Sequence, residues 1–451
     1  MVVVGGGPAG ENAAGRCADA GLRVALVERE LVGGECSYWG CIPSKTLLRP
    51  GDVVAAARRV PGAAEAVTGA IDVHAALARR DRATSNWDDA GQAPWLDSKH
   101  ITLVRGSARL DGERAVVVDA TRRLEAARAV VLATGSSAAR PPIPGLADAG
   151  AWDNRDATAA KEIPRRLLVL GGGAIGVEMA QAFRRLGAEE VTVVEGGPRL
   201  LAREEPFAGE ELRAALEAEG VAVVVGHAMT EVRRNGADGP VRALLDDGRE
   251  LVGDELLVAV GRRPATGDLG LETVGLEPGR FVEVDERLRA RGVPGEWLYA
   301  VGDCNGRALL THMGKYQARI AADVILGRDV ADRAPVPRVT FTDPQVCAVG
   351  MTEADARAAG LATRVVSYPT GGVAGAYTQG DGVAGTCQLV VDEARRVLVG
   401  ATFTGPGVQE LLHSATVAVA AGVPLDALWH AVPSFPTVSE VWLRLLEAYG
   451  C

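Results

Sequence analysis

Cys36 and Cys41 stand in the segment Gly33-Gly34-Glu35-Cys36-Ser37-Tyr38-Trp39-Gly40-Cys41-Ile42-Pro43-Ser44-Lys45, with four residues between them. Cysteines this close form half of a zinc site, close a structural disulfide, or alternate between dithiol and disulfide and so store two electrons. A zinc site needs a second Cys/His pair, which the segment lacks, and a chain in a reducing compartment rarely keeps a structural disulfide. No metal is expected, and redox use is. Pro43 suits the first turn of a helix, which predicts Cys41 at or near a helix N-terminus, where the dipole favours thiolate.

Two glycine turns flank this segment in the chain. Val2-Val3-Val4 runs into Gly5-Gly6-Gly7-Pro8-Ala9-Gly10, an Ala-rich helical pattern to Ala20, and a strand from Val24 to Val27 that ends in Glu28. The series recurs at Leu167 to Leu170, Gly171-Gly172-Gly173-Ala174-Ile175-Gly176, a helix through Leu186, and a strand from Val191 to Val194 that ends in Glu195. Strand, glycine turn, helix, strand and acid in that order describe a dinucleotide-binding unit. Gly5 and Gly171 permit the turn, Gly7 and Gly173 let backbone approach a pyrophosphate, and Gly10 and Gly176 let helix pack on strand. Glu28 and Glu195 would accept hydrogen bonds from ribose hydroxyls. An acid at Glu195 repels a 2'-phosphate and favours NADH over NADPH, a preference that nearby Arg199 softens.

The 451 residues suffice for about three domains, each with its own core. A net charge of −10 without a basic run argues against nucleic acid or anionic lipid as partner. Apolar stretches such as 415–423 are far too short to span a bilayer. No secretion signal precedes Gly5, so a cytoplasmic location is expected. Five further cysteines (Cys17, Cys304, Cys347, Cys387 and Cys451) show no framework spacing and read as reduced singles. Lys45, Lys99, Lys161 and Lys315 are the only lysines, which makes Lys45 conspicuous beside the thiols.

With Ala133-Thr134-Gly135, Val260-Gly261-Arg262-Arg263-Pro264 and Ala300-Val301-Gly302-Asp303 added in order, the chain resembles the class I pyridine nucleotide-disulfide oxidoreductases over nearly its whole length. The resemblance implies an α/β fold with two nested Rossmann-like dinucleotide-binding domains and an α+β C-terminal dimerisation domain. It divides the chain into an FAD-binding domain (1–150), an NAD(P)-binding domain (151–264), the remainder of the FAD domain (265–335) and an interface domain (336–451). FAD would lie at the first glycine unit, with Glu28 on its adenosine ribose, Asp303 on its ribityl chain, and Thr134, Gly135, Gly261 and Gly302 in the supporting motifs. NAD(P)H, preferably NADH, would lie at the second. The family further implies Cys41 as the flavin-proximal thiol, Cys36 as the outer thiol that exchanges with substrate, and Lys45 paired with Glu178 near the flavin edge.

The same family inserts a His-Pro-Thr segment, followed by a Glu, from one subunit of a homodimer into the partner's site. Here Pro433-Ser434-Phe435-Pro436-Thr437-Val438-Ser439-Glu440 keeps the Pro-Thr and the Glu, but Phe435 replaces the histidine. Phenylalanine moves no proton, and losing a general acid/base costs about 10² to 10⁴ in rate. His430 and His312 are candidate substitutes; the alternative reading of His430 is a helix-end or core residue. Tyr38 and Trp39 are expected to line the approach to Cys36 and favour a flat substrate, and Cys451 reads as an incidental thiol. The expected activity is an FAD-dependent NAD(P)H oxidoreductase working on a small-molecule or disulfide acceptor. Alternatives are a reductase of quinones or other electrophiles, carboxylase-like chemistry, and a flavin-bound redox sensor without turnover.

Overall fold

Runs of valine, leucine and alanine buried on both faces make parallel strands, since such a sheet is covered from above and below. Val2–Val4, Ala25–Glu28 and Val130–Leu132 are of this kind, with Val3, Leu26 and Val131 fully buried and in register with one another. The computed structural model describes residues 1–236 and 239–451, and it separates into two units. One comprises residues 1–43, 79–139 and 261–333, the other 44–78, 140–260 and 334–451.

The first unit is built on five parallel strands in the order Leu298–Ala300, Val130–Leu132, Val2–Val4, Ala25–Glu28, Thr102–Arg105. The helix Pro8–Asp19 follows the first glycine turn. Its leading proline forfeits only an N–H that has no intrahelical partner. Gly10, Ala13, Ala14 and Cys17, spaced at i, i+3, i+4 and i+7, form its buried stripe. It packs on the helix Thr311–Ile325, to which Arg16 is fastened by a fork of bonds to Asp323, at 2.8 and 2.7 Å.

The second unit repeats the plan with four parallel strands, Val221–Val225, Glu190–Glu195, Arg166–Leu170 and Glu255–Val258. Its helix Ala174–Arg185 is buried continuously from Gly176 to Phe183, so only its ends meet water. The same unit holds an antiparallel sheet in the order Arg338–Thr340, Gln345–Gly350, Val397–Gly405, Thr386–Asp392, Thr363–Pro369, with the helices Leu411–Ala421 and Val441–Tyr449 packed on it. The α/β class, the two Rossmann-like sheets and the C-terminal α+β portion expected from the sequence are all present.

Candidate functional site

The two glycine turns are near copies in three dimensions. Gly5 and Gly171 hold φ of +103° and +114°, open to glycine but strained for other residues, and a Cβ on either would fall 2.4 or 2.5 Å from the carbonyl oxygen of Ala133 or Ala259. A Cβ at Gly10 would sit 1.8 Å from the oxygen of Gly5, and one at Gly176 2.0 Å from that of Gly171. These four glycines are required by the protein's own backbone. The middle pair differs: a Cβ at Gly7 would meet nothing nearer than 3.9 Å, and one at Gly173 nothing within 4 Å. Both cap helices with ordinary negative φ. Nothing within the chain fills the space a side chain would take there, and a pyrophosphate facing the helix N-terminus fits it.

Glu28 and Glu195 are already committed in part. Glu28 accepts the N–H of Gly6 at 2.6 Å and that of Glu30 at 2.7 Å, and Glu195 accepts those of Gly172 and Gly197, each at 2.7 Å. Each acid therefore fixes the glycine turn beside it, with a second lone pair on each oxygen left for a ribose hydroxyl. The guanidinium of Arg199 donates to the carbonyls of Ala202 and Glu204 and so is engaged within its own loop.

The thiols occupy the first unit. Cys36 lies in the helix Gly34–Tyr38, and Cys41 is the first residue of the helix Cys41–Arg58, as Pro43 predicts. Cys36 hydrogen-bonds to Cys41. That bond and burial push the Cys36 thiol well up, against an opposing contribution from the Thr311 hydroxyl. Thr311 Oγ1 also lies 3.4 Å from the sulfur of Cys41. Cys41 is exposed at a helix start beside a hydroxyl, a position where the helix dipole favours a thiolate. The buried thiols elsewhere contrast with this pair. Burial, with a smaller push from the nearby carboxylates Asp323 and Asp303 respectively, drives Cys17 up to about 11 and Cys304 up to about 12, and neither can act as a thiolate near neutrality.

Also in the first unit, Arg262 donates to the hydroxyl of Ser136 at 2.6 Å and to its carbonyl at 2.7 Å. Ser136 in turn donates to Asp303, and Glu35 lies 3.5 Å from Arg262. Burial raises the Asp303 carboxyl, and its bond from Ser136 and the charge of Arg262 limit the rise. In the second unit Lys45 meets Glu178 at 2.5 Å and stands 4.9 Å from the centre of the Phe341 ring. The other oxygen of Glu178 accepts the N–H of Phe341 at 2.9 Å, which ties the dinucleotide-sheet helix to the antiparallel sheet.

Several expectations shift. Tyr38 does not line the approach to Cys36: it is 3 % exposed, and its hydroxyl donates to the carbonyl of Val32 at 3.1 Å. Its large ring gains more from burial than from facing a substrate. Trp39 remains half-buried, edge-on to Tyr38. His312 is exposed on the first turn of Thr311–Ile325. His430 is exposed just past the short helix Leu425–Leu428, so it is a helix-end residue and not a core one. Phe435 is 76 % exposed, and the Glu440 carboxylate is held by Arg444 at 2.7 Å on one oxygen while its other, buried oxygen has no hydrogen-bond partner.

Sequence reasoning missed Thr311, Ser136 and Glu11. Thr311 was visible only as the residue before His312. Glu11, an acid directly after the third glycine of a phosphate-binding turn, is a signal the sequence does carry. Its carboxyl is pushed up to about 7, chiefly by burial, with Lys315 opposing and Glu28 adding to the rise. Glu11 can therefore shed its charge near neutral pH.

Comparison with known proteins gives a consistent picture. Residues 1–321 match the family described as pyridine nucleotide-disulphide oxidoreductase, and residues 336–445 match its dimerisation domain. A dihydrolipoyl dehydrogenase of Thermus scotoductus is 35% identical over 99% of this chain and 96% of its own length. A mercuric reductase of Shigella flexneri is 34% identical over 93% of this chain and 75% of its own. Among solved structures, the HOCl-induced flavoprotein disulfide reductase RclA of Escherichia coli superposes with a TM-score of 0.86 at 28% identity, covering 99% of each chain.

Two measurements check the site geometry. Gly176→Ala is expected to destabilise the protein by about 2–3 kcal/mol in urea unfolding, because its Cβ strikes backbone. Gly173→Ala should cost no more than about 1 kcal/mol yet weaken NADH binding at least about tenfold in calorimetry, a steric exclusion; intact NADH affinity would contradict the assignment. For Glu11, a folded-state pKa of about 7 against an ordinary 4.5 means that stability is full below 4.5 and is lost as pH rises through about 7. Glu11→Gln removes that loss, so its stability relative to wild type should grow by about 3 kcal/mol between pH ~4 and ~8.5. A difference that stays constant over that range would show that Glu11 ionises normally.

Proposed function

Because the chain belongs to the pyridine nucleotide-disulphide oxidoreductase family, whose members use FAD and NAD(P)H, we propose that it passes reducing equivalents from NADH through Cys36 and Cys41 to an acceptor disulfide. The observation that carries this reading is the contact of the two thiols beneath the Thr311 hydroxyl, with Cys41 at a helix start. FAD, when bound, supplies the two-electron link between nicotinamide and thiols. Residues 1–150 and 265–335 would hold it, through Gly5, Gly7, Gly10, Glu28, Thr134, Gly135, Gly261, Gly302 and Asp303. Residues 151–264 would hold NADH through Gly171, Gly173, Gly176 and Glu195, whose charge, with Arg199 engaged elsewhere, disfavours a 2'-phosphate.

The chain's own steps follow from the thiols. Cys36, once deprotonated, attacks one sulfur of the acceptor R–S–S–R, forming a mixed disulfide and releasing RS⁻, which takes up a proton. The Cys41 thiolate then attacks the Cys36 sulfur, releasing the second thiolate and leaving the Cys36–Cys41 disulfide for the next reduction. Lys45, anchored by Glu178, supplies a fixed positive charge four residues after Cys41 on the same helix.

Residues 336–451 would form a homodimer interface. Val432, 84 % exposed, and Phe435 sit on one loop beside Trp429, an apolar edge unusual on a free surface. No described helix is long and apolar enough to cross a membrane.

Phe435 favours a second reading, reduction of quinones or other electrophiles that need no proton delivered to a departing thiolate. The two separate by experiment. On the disulfide reading, Cys36→Ala and Cys41→Ala each lower NADH-dependent lipoamide turnover by about 10³ or more. Equal quinone turnover in wild type and both variants, with no disulfide turnover in either, would instead establish the second reading. Phe435→His should raise lipoamide turnover at least about tenfold, by restoring a general acid/base; no gain would show that proton transfer is not what limits the reaction.

A further inference from the structure

Between the two thiols runs the turn Ser37-Tyr38-Trp39-Gly40, and the helix Gly34–Tyr38 that carries Cys36 is barely more than one turn long. A helix so short has few internal bonds, and the carbonyls at its C-terminal end need outside partners. The N–H of Trp39 is held by the Glu35 carbonyl at 2.8 Å, inside the same turn. The Tyr38 carbonyl is held from a distant part of the chain, by the indole N–H of Trp87 at 3.1 Å.

Trp87 is placed for this at a cost in backbone strain. Ser85, Asn86 and Trp87 take φ of 50°, 51° and 57°, three consecutive non-glycine residues in the left-handed region. Such a run persists only where the surroundings over-determine it, and it marks sites where geometry serves function. Beneath the indole lies Arg80, a fully buried guanidinium 5.4 Å from the ring centre and bonded through Nε to Asp81 at 2.7 Å. A buried cation on the ring face holds the indole plane, and with it the direction of its N–H.

We propose that Trp87 is a positioning residue of the redox pair: its indole N–H, aimed by the left-handed strap and by Arg80, pins the Tyr38 carbonyl and so fixes the spacing of Cys36 from Cys41. The inference rests on the dithiol/disulfide reading above. Pinning the turn raises the effective concentration of each thiol toward the other, which stabilises the disulfide against reduction.

The test is an equilibrium between the full-length protein and dithiothreitol. The Cys36–Cys41 bond breaks, both sulfurs gain a proton and an electron from the reagent, and the reagent closes its own disulfide. Thiols are counted by alkylation and mass. Trp87→Phe keeps a ring over Arg80 and removes the N–H, and it should make the disulfide about tenfold easier to reduce, a potential about 30 mV more positive. Trp95→Phe, an indole loss in the same unit where the ring covers Gly15, should stay within about twofold of wild type. A Trp87→Phe value equal to wild type, or an equal shift in both variants, overturns the proposal. Absence of any Cys36–Cys41 disulfide in wild type overturns the disulfide-reductase reading along with it. A measurement on unsubstituted protein covers poor folding of the variant: the Trp87 indole N–H of ¹⁵N-labelled wild type must exchange slowly with solvent, and exchange at the rate of a free indole would refute the strap.

Discussion

Two sulfurs in hydrogen-bonding contact, one of them at the head of a helix, set the terms for the chemistry of this protein. Contact alone would make a static pair. What differentiates them is the surroundings: Cys36 is half-buried in a short helix, its thiol pushed up by its bond to Cys41 and by burial, while Cys41 is exposed at a helix start beside the Thr311 hydroxyl. An asymmetric pair can pass charge in one direction.

Each glycine turn works under a related constraint, close approach of backbone to backbone. Gly5 and Gly171, Gly10 and Gly176 are demanded by carbonyl oxygens within the chain, whereas a Cβ at Gly7 or Gly173 would meet nothing closer than 3.9 Å and the space beside them is open. The acid at the end of the next strand also does double duty, bracing the turn through backbone N–H groups and offering lone pairs outward. One local solution thus serves twice, once on a five-stranded and once on a four-stranded sheet.

Much of this was legible in the sequence because its signals are local. A glycine series between strand and helix, a proline two residues after Cys41 and an acid after each second strand all act over short stretches of chain. The unread parts depend on distant contacts. Thr311 meets Cys41 across 270 positions, and Ser136 meets Asp303 across 167. Tyr38 misled for the same reason: its neighbours along the chain are thiols, but its ring finds space under Val32 and its carbonyl finds Trp87. The Phe435 departure was readable at once, since a missing proton carrier is a fact of residue type, while the capture of Glu440 by Arg444 needed coordinates.

The central claim is that the pair stores two electrons beyond those a flavin holds. An anaerobic titration of the FAD-loaded protein, with reduction followed to completion, counts them directly. The account predicts four electrons for wild type and two for Cys36→Ala. Uptake of only two electrons by wild type, with Cys36 and Cys41 recovered as free thiols before reduction, would contradict it.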